Sequence, residues 1–407
     1  MKSSLSYEQL KGAATQYGTP LYVYHAEKIV DQYNSLVAHF SNESTRFFYA
    51  CKALTNIHIL DVVKRAGCNI DCSSINEVKL AIHVGFERSN ILYTSNSVSI
   101  EEIIEAVKLG VNVNIDSLSN LEKFGAAFGN SYPIGVRIRP NIMAGGNLKI
   151  STGHDKSKFG IPLTQLDILK KIQEKYELNI VTLHIHTGSE IKDVAVFLQS
   201  AEVFDSVLPH FPTVQVLDFG GGFKVPYQPD EKGTDIALLG AEVNKVIQTL
   251  STKYGRSFTA WFEPGKYLVS EAGYFITQVN VLKQSGETTF AGIDTGLNHL
   301  IRPMFYDAYH HIDNMSHPEA TLQNYAVVGN ICETDTFAWD RPIPTIEEGD
   351  YLVFYNAGAY GYEMSSNYNA RYKPAQILFE NNISKIISRR DTFEDLLSLQ
   401  LPLSQSS

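Results

Sequence analysis

The chain has 407 residues, 44% of them hydrophobic and 19% charged, and this length suits either one large domain or two of ordinary size. Its formal net charge is −10, with acidic and basic residues interspersed and no basic stripe. This charge pattern argues against a surface that binds nucleic acid or an anionic membrane. Small molecules are therefore the expected partners.

Cysteine usage and hydropathy indicate a reducing compartment. The four cysteines, Cys51, Cys68, Cys72 and Cys332, form no CxxC pair, and no histidine has a spacing suited to zinc, so no metal site is expected. The amino-terminal residues lack the apolar core of a signal peptide, and nowhere do 18 consecutive apolar residues occur. We therefore expect a cytoplasmic protein that does not enter a membrane.

Short apolar segments rich in β-branched and aromatic residues alternate with amphipathic segments of helical length, which is the pattern of βα units. The predicted strands are Arg46–Lys52, Asn69–Ser73, Ile91–Thr94, Val111–Asp116, Ile134–Arg139, Ile180–Thr187, Val214–Phe219 and Phe258–Glu263. Eight parallel strands with helical crossovers favour an α/β fold with a closed, TIM-like (β/α)8 barrel over an open sheet.

From about Tyr274 the strand-like segments follow one another without long helices between them: VNVL, TFAGID, YAVVG, YLVFYNAG and AQILF. They predict a C-terminal antiparallel β-domain. The earlier segment LYVYH, Leu21–His25, precedes the barrel rhythm and is expected to pair into that domain. The predicted boundaries are 1–25 for this N-terminal segment, 26–270 for the barrel and 271–407 for the β-domain.

In barrel enzymes the chemistry takes place where the strands end, at the C-terminal mouth. By strand alternation Phe48, Ala50 and Lys52 share one face of the first predicted strand, so the lysine reaches the mouth if that face lines the barrel. Desolvation there disfavours the ammonium form, and a partly neutral lysine is a nucleophile suited to a Schiff base. A lysine that merely snorkels at a strand end is the alternative.

Two further strand ends carry chemistry. Gly220–Gly222 follow the seventh strand, where barrels commonly hold a phosphate against backbone N–H groups, although a tight turn is the alternative. Glu263 ends the eighth strand, and Lys266 follows a Pro-Gly turn. A carboxylate at this position can partner the pyridinium nitrogen of pyridoxal phosphate, although a surface salt bridge is the alternative. Lysine, glycine loop and acid together predict a pyridoxal-phosphate site.

These stretches resemble the fold-type III pyridoxal-phosphate-dependent decarboxylases, which have an alanine racemase-like barrel, and within them the diaminopimelate decarboxylases. The resemblance covers nearly the whole chain. Its motifs are YACKALTN, HIHTGS, DFGGGF, EPGK, DTGLNHLIRPMFYDAYH, GNICETDTF and GAYGYEMSSNYNARYKPAQILF.

The resemblance implies a role for each matching residue around the cofactor. Lys52 matches the lysine that carries the cofactor, and Asp71 matches the nearby acid. His186 matches the imidazole that stacks on the ring, and Glu263 matches the pyridinium partner. The remaining cofactor-binding positions are Ser189, Gly220, Gly221, Gly222, Pro264, Gly265, Lys266 and Tyr360, the last closing over the phosphate. His184 points the same way as His186 and is expected to be a packed core residue.

The resemblance also implies decarboxylation of meso-2,6-diaminopimelate at its D-centre to L-lysine and carbon dioxide, the final step of lysine biosynthesis. The distal end of this substrate is an amino acid, so its carboxylate needs a guanidinium and a phenol and its ammonium needs a carboxylate. The substrate-binding residues would be Arg302, Tyr306, Glu333, Lys266 and Tyr360. Cys332 matches the catalytic thiol that protonates the α-carbon, although a small buried hydrophobe is the alternative.

In the family the sites form between two subunits, so the resemblance implies a homodimer in which the Cys332 loop reaches the partner's barrel. Lys266 departs from the usual arginine, and CETDT departs from the commoner CESGD. Lysine keeps the charge but loses the bidentate fork, and it stays open whether Lys266 contacts the phosphate or the substrate carboxylate. The substrate is the favoured partner, because Gly220–Gly222, Ser189 and Tyr360 already offer the phosphate several donors.

Two other functions stay open. One is a related decarboxylase that acts on another amino acid or on a carrier-linked substrate, and the retention of Arg302, Tyr306 and Glu333 argues against it. The other is a non-catalytic pyridoxal-phosphate carrier, and a chain of 407 residues argues against that class, whose members are short single barrels.

Overall fold

The computed structural model of the chain describes residues 5–41, 43–142, 153 and 157–403. Its β-strands, in chain order, are β1 Leu21–His25, β2 Thr45–Ala50, β3 Asn69–Cys72, β4 Ile91–Thr94, β5 Asn112–Ile115, β6 Ile134–Arg139, β7 Ile161–Pro162, β8 Ile180–His184, β9 Val216–Asp218, β10 Thr259–Phe262, β11 Gly273–Ser285, β12 Thr288–Ile293, β13 Ile312–Asn314, β14 Leu322–Val328, β15 Thr336–Pro344, β16 Tyr351–Phe354, β17 Ala375–Glu380 and β18 Ile383–Ser388. Its α-helices are α1 Tyr7–Tyr17, α2 Ala26–His39, α3 Ile57–Arg65, α4 Ile75–Val84, α5 Ile100–Leu109, α6 Leu118–Phe128, α7 Leu166–Tyr176, α8 Ala195–Val207, α9 Ile236–Tyr254, α10 Lys266–Val269, α11 Arg302–Tyr306 and α12 Phe393–Leu397.

One compact unit, Ile29–Pro226 with Lys232–Leu268, is a closed parallel barrel. Its strands pair in the order β2-β3-β4-β5-β6-β8-β9-β10, and β10 pairs with β2 to close the ring. The predicted barrel is confirmed, and each predicted strand overlaps an observed one. Two predicted strands end at least two residues earlier than expected: β2 stops at Ala50, where Cys51–Ala53 form a 3-10 turn, and β8 stops at His184.

Local signals at the strand ends start and stop the barrel helices. Ser74 begins α4 by accepting a hydrogen bond from the Glu77 amide at 3.2 Å, and Gly85 ends the helix with a φ of 89°. In α3 the buried residues recur at helical spacing, so one face of the helix packs inward. Among the described helices, not even the 19-residue α9 is apolar enough over its length to cross a bilayer.

The other unit contains the described residues of Met1–Lys28, Tyr227–Glu231 and Val269–Ser407. Its sheet has the order β15-β14-β12-β11-β1-β17-β18, and β16 pairs with β11 and β13. As predicted, β1 joins this sheet, where Leu21 lies opposite Ile276 and Ala375. The sheet is mixed rather than purely antiparallel, because β1 runs parallel to β17 and β12 runs parallel to β14.

Candidate active site

The carboxyl ends of the barrel strands bring Lys52 onto a buried acid. Lys52 lies two residues beyond β2, and its Nζ is 3.4 Å from Oδ2 of Asp71 on β3. The side chain of Lys52 is 41% exposed, whereas that of Asp71 is fully buried. Burial and the charge of Glu263 raise the pKa of Asp71 well above its usual range, against the opposing effect of Lys52. The mouth therefore presents an amine beside a carboxyl group that can hold a proton.

Glu263 follows β10 and is the anionic centre of the barrel mouth. Its Oε1 lies 3.5 Å from Nε2 of His184 and 3.5 Å from the hydroxyl of Thr94. Burial opposes ionisation, but His184, through a hydrogen bond, and Lys52, through its charge, lower the pKa of Glu263. Burial also lowers the pKa of His184, so its ring stays neutral at pH 7. His184 is buried as expected, but its contact with Glu263 is one that the core assignment missed.

The glycine loop lies directly against His186. The Gly221 amide donates to Nδ1 of His186 at 3.2 Å, and the Gly220 amide donates to Oδ1 of Asp218 at 2.9 Å. Burial, with the charge of Arg137, lowers the pKa of His186, so a neutral ring can accept at Nδ1. A Cβ added to Gly221 would lie 2.1 Å from the carbonyl oxygen of Glu263, and Gly222 has a φ of 101°. Only glycine fits this loop.

The Pro-Gly turn after Glu263 connects the end of β10 to that of β2. The Pro264 carbonyl accepts from the Ala50 amide at 3.1 Å, and a Cβ on Gly265 would lie 3.3 Å from that of Ala50. Gly265, two residues after Glu263 in the sequence, therefore packs beside the turn that carries Lys52.

Lys266 is held by an acid that the sequence analysis did not single out. Its side chain is 9% exposed, and its ammonium pairs with Glu190, which follows Ser189 in the chain. Lys224 also donates to Glu190, at 3.3 Å. The carboxylate of Glu190 therefore bridges two lysines next to the predicted phosphate ligand Ser189.

In the β-domain unit, Arg302 is a buried cation between aromatic rings. Arg302 is the first residue of α11, and its Nη2 donates to the Tyr227 hydroxyl at 3.2 Å. The guanidinium carbon lies 5.5 Å from the centre of the Tyr227 ring and 5.9 Å from that of Tyr306. Within the described chain, Nε of Arg302 has no hydrogen-bond partner. This site therefore offers a buried positive charge with an unused donor.

Cys332 and Glu333 lie together on the exposed loop between β14 and β15. The Cys332 amide donates to Oδ1 of Asn369 at 2.8 Å, and the Tyr368 hydroxyl donates to Oε1 of Glu333 at 2.9 Å. Cys332 is the exposed cysteine of the four, and all four are free. Tyr360 lies in the GAYGY turn with a left-handed φ of 56°.

Sequence reasoning missed four polar residues that the structure adds: Arg137, Glu190, Asp218 and Tyr227. Arg137 is 6% exposed on β6, and burial lowers its pKa against the opposing charges of Glu263 and Asp116. An arginine at an inward position of the apolar strand IGVRIR is a signal that could have found it. Asp218, directly before the glycines, could also have been found, but nothing in the loop VPYQPD singles out Tyr227.

Comparison with known proteins agrees with this geometry. Residues 26–270 match the family model of the pyridoxal-dependent decarboxylases, pyridoxal binding domain. The diaminopimelate decarboxylase of Methanothermobacter thermautotrophicus is 37% identical over 394 residues, which cover 94% of this chain and 92% of the relative. A crystal structure of diaminopimelate decarboxylase superposes with a TM-score of 0.90 at 32% identity, covering 98% of this chain and 97% of the other. The Helicobacter pylori enzyme in complex with L-lysine gives 0.87 at 30%, covering 97% and 99%. The chain therefore belongs to the diaminopimelate decarboxylase family of pyridoxal-dependent decarboxylases.

Proposed function

We propose that this chain decarboxylates meso-2,6-diaminopimelate at its D-centre, releasing L-lysine and carbon dioxide as the last step of lysine biosynthesis. The observation that carries the proposal is Arg302, a buried guanidinium flanked by two tyrosines with an unused Nε donor. Such a group takes a carboxylate. The amino-acid end of diaminopimelate remote from the reaction supplies that carboxylate, and the similarity to the lysine-bound Helicobacter pylori enzyme supports the same substrate class.

The residues at the barrel mouth fit pyridoxal phosphate. Lys52 reaches the mouth and would hold the cofactor's carbonyl carbon, while the buried, ionised Glu263 would hold its ring nitrogen. His186 would cover the ring, and the glycine loop, which has no room for a Cβ at Gly221, would hold the phosphate with Ser189 and Tyr360. When bound, pyridoxal phosphate draws electron density from the substrate's α-carbon and so makes loss of carbon dioxide possible.

Each group of this chain then has a defined protonation task. Glu263 stays ionised, so it would keep a proton on the ring nitrogen of the bound cofactor. Asp71, with a raised pKa and 3.4 Å from Lys52, can pass a proton to or from that amine when the substrate's amine takes its place. Cys332 donates a proton to the α-carbon after carbon dioxide has left. The neutral ring of His186 would cover the cofactor ring without adding a positive charge.

At the distal end of the substrate, Arg302 and Tyr306 bind the carboxylate and Glu333 binds the ammonium. Lys266 would also lie in the active site. Its pairing with Glu190, the neighbour of Ser189, supports a role on the phosphate side rather than at the distal carboxylate.

The active unit is a homodimer in which the loop of Cys332 and Glu333 serves the partner's barrel. Both residues are exposed in the single chain, although each has a chemical role, and this exposure supports a position at a subunit interface. A cytoplasmic location stays a prediction from cysteine usage.

A substrate panel tests the proposal. The holoenzyme is incubated with meso-diaminopimelate, L-lysine, L-ornithine and L-arginine, and carbon dioxide is measured for each. We expect release from diaminopimelate at a rate far above the others. Arg302→Gln should lower kcat/KM for diaminopimelate by about tenfold to hundredfold, since a charge-assisted hydrogen bond contributes about 1.5–3 kcal/mol. Preference for another amino acid would establish the related decarboxylase instead, and cofactor binding without any release would establish the carrier.

A further inference from the structure

Three side chains of one short turn hold the loop that carries Cys332 and Glu333. In the 368–371 turn, Asn369 accepts from the Cys332 amide at 2.8 Å, and Tyr368 donates to the Glu333 carboxylate at 2.9 Å. Arg371 donates to the carbonyl of Asn330 at 3.1 Å. The 330–333 loop is therefore held at a carbonyl, an amide and a carboxylate by neighbouring residues of a single turn.

The backbone of this turn is strained. Asn369 has φ 56° and ψ 25°, and Ala370 has a φ of 54°. Asparagine tolerates the left-handed region, but for alanine this conformation costs about 1 kcal/mol or more. Strain of this kind persists where the surroundings fix the conformation. Here Asn367 fixes it from behind by donating to the Arg371 carbonyl at 2.9 Å and to Asp391 at 2.7 Å.

Within a single chain these contacts contribute little to folding. Tyr368 is 44% exposed, and Cys332 and Glu333 are exposed as well. Hydrogen bonds between exposed groups exchange with bonds to water, so their net contribution to stability is small. The turn instead fixes positions. Asn369 holds the backbone amide of Cys332, and Tyr368 holds the carboxylate of Glu333.

We propose that Asn369 and Tyr368 are positioning residues for the reaction, a role that rests on the proposed function. Asn369 fixes the backbone from which the Cys332 thiol reaches the α-carbon, so its loss slows proton delivery and lowers kcat. Tyr368 fixes the Glu333 carboxylate that receives the distal ammonium, so its loss weakens substrate binding and raises KM. The two neighbours thus act on different kinetic parameters.

Four variants of the holoenzyme test this division of roles. Asn369→Gly keeps the left-handed backbone and removes the acceptor, whereas Asn369→Asp keeps both. Tyr368→Phe removes only the hydroxyl, and Tyr372→Phe is its matched control, since Tyr372 is 39% exposed on the same segment. We measure kcat and KM for meso-diaminopimelate, the melting temperature, and hydrogen exchange at the Cys332 amide.

We expect Asn369→Gly to lower kcat about tenfold, equivalent to about 1.4 kcal/mol, and to speed hydrogen exchange at the Cys332 amide. Asn369→Asp, which keeps the acceptor, should match wild type in both quantities. Tyr368→Phe should raise KM about tenfold and leave kcat within about threefold. Tyr372→Phe should change neither parameter, and all melting temperatures should agree.

Two outcomes overturn the inference. Unchanged exchange at Cys332 in Asn369→Gly would show that Asn369 does not hold the loop, whichever substrate the enzyme takes. Parallel losses of kcat and melting temperature in Asn369→Gly and Tyr368→Phe would show a purely structural turn. Failure of the wild-type enzyme to act on diaminopimelate contradicts the proposed function separately, because amide exchange and melting are measured without substrate.

Discussion

Lys266 departs from the arginine that the family resemblance predicts, and its nearly buried ammonium pairs with Glu190. Without it, the carboxylate of Glu190 keeps Lys224 as a cationic partner at 3.3 Å. We expect Lys266→Ala to lower kcat/KM by about tenfold to hundredfold, because a charge-assisted contact in a partly desolvated site contributes about 1.5–3 kcal/mol. Lys266→Arg keeps the charge and should stay within about tenfold of wild type.

Steady-state kinetics and cofactor titration together identify the partner of Lys266. Weaker cofactor retention in Lys266→Ala indicates the phosphate, whereas a higher KM with unchanged cofactor affinity indicates the substrate carboxylate. Lys224→Ala is the matched control, because Lys224 pairs with the same Glu190. If Lys266→Ala leaves both quantities unchanged, Lys266 is not part of the site.

The buried histidine His310 should make the folded chain less stable below neutral pH. It is 1% exposed, its Nδ1 donates to the Tyr355 carbonyl at 2.8 Å, and burial with the charge of Arg302 lowers its pKa to about 3. The unfolded chain, with a histidine pKa of about 6.5, binds a proton as pH falls below that value, and the folded chain does not. Stability is therefore fully present above about pH 6.5 and falls toward pH 3, by about 2 kcal/mol between pH 7 and pH 5.

Urea denaturation at pH 7 and pH 5 measures this loss. His310→Gln keeps a donor for the Tyr355 carbonyl and cannot titrate, so its free energy of unfolding should fall by about 2 kcal/mol less than that of wild type over this interval. The control is His58→Gln, at an exposed position on α3. An equal loss in wild type and His310→Gln would contradict the assignment.

The glycine loop after β9 is packed too closely to accept a side chain at Gly221. A Cβ at Gly221 would lie 2.1 Å from a backbone oxygen of Glu263, so the loop after β9 must move in Gly221→Ala. Overpacking of this kind costs about 1–3 kcal/mol, and we expect cofactor affinity to fall by about tenfold or more in an equilibrium titration. Gly12→Ala, in the exposed part of α1 with open space around its Cβ, should leave affinity unchanged and stabilise by up to about 1 kcal/mol. Equal affinities in both variants would contradict the role of the loop.

The barrel strands were predictable because buried parallel strands are continuous apolar runs separated by helix-length segments. Their last residues were not. Apolar alternation continues through Ala50 to Lys52, yet the chain leaves β2 at Ala50 and turns, and only tertiary pairing decides this point. In the β-domain β15 went unpredicted because Pro342 and Pro344 read against a strand, and the sheet accommodates them at an edge.

The candidate site residues came from motifs, and their contacts could not be predicted in that way. The Arg302 guanidinium meets a tyrosine hydroxyl 75 residues away in sequence, and His184 meets Glu263 on another strand. Period-two alternation tells which face a residue takes, but it does not tell which side chain across the barrel it meets. The roles of the predicted residues toward cofactor and substrate stay predictions that the variants above address.

For the whole molecule, the proposed sharing of sites between subunits predicts complementation. Lys52→Ala and Cys332→Ala homodimers should each be inactive, and hybrids should contain one site with both native residues. Random re-pairing of a twofold-symmetric dimer makes about half of the molecules hybrids, so about a quarter of wild-type activity should return. Native mass spectrometry confirms that the hybrids form. Hybrids that form and stay inactive would show that both residues act within one chain.

Borohydride reduction of the holoenzyme followed by peptide mapping tests the central claim, that the barrel mouth around Lys52 is the cofactor site, most directly. Reduction makes the bond between lysine and cofactor permanent, so the modified residue can be identified by mass. We predict a single label of pyridoxyl phosphate on Lys52, in the peptide containing YACKALTN, and none on the Lys52→Ala protein. A label on Lys266, or on any lysine other than Lys52, would contradict the account.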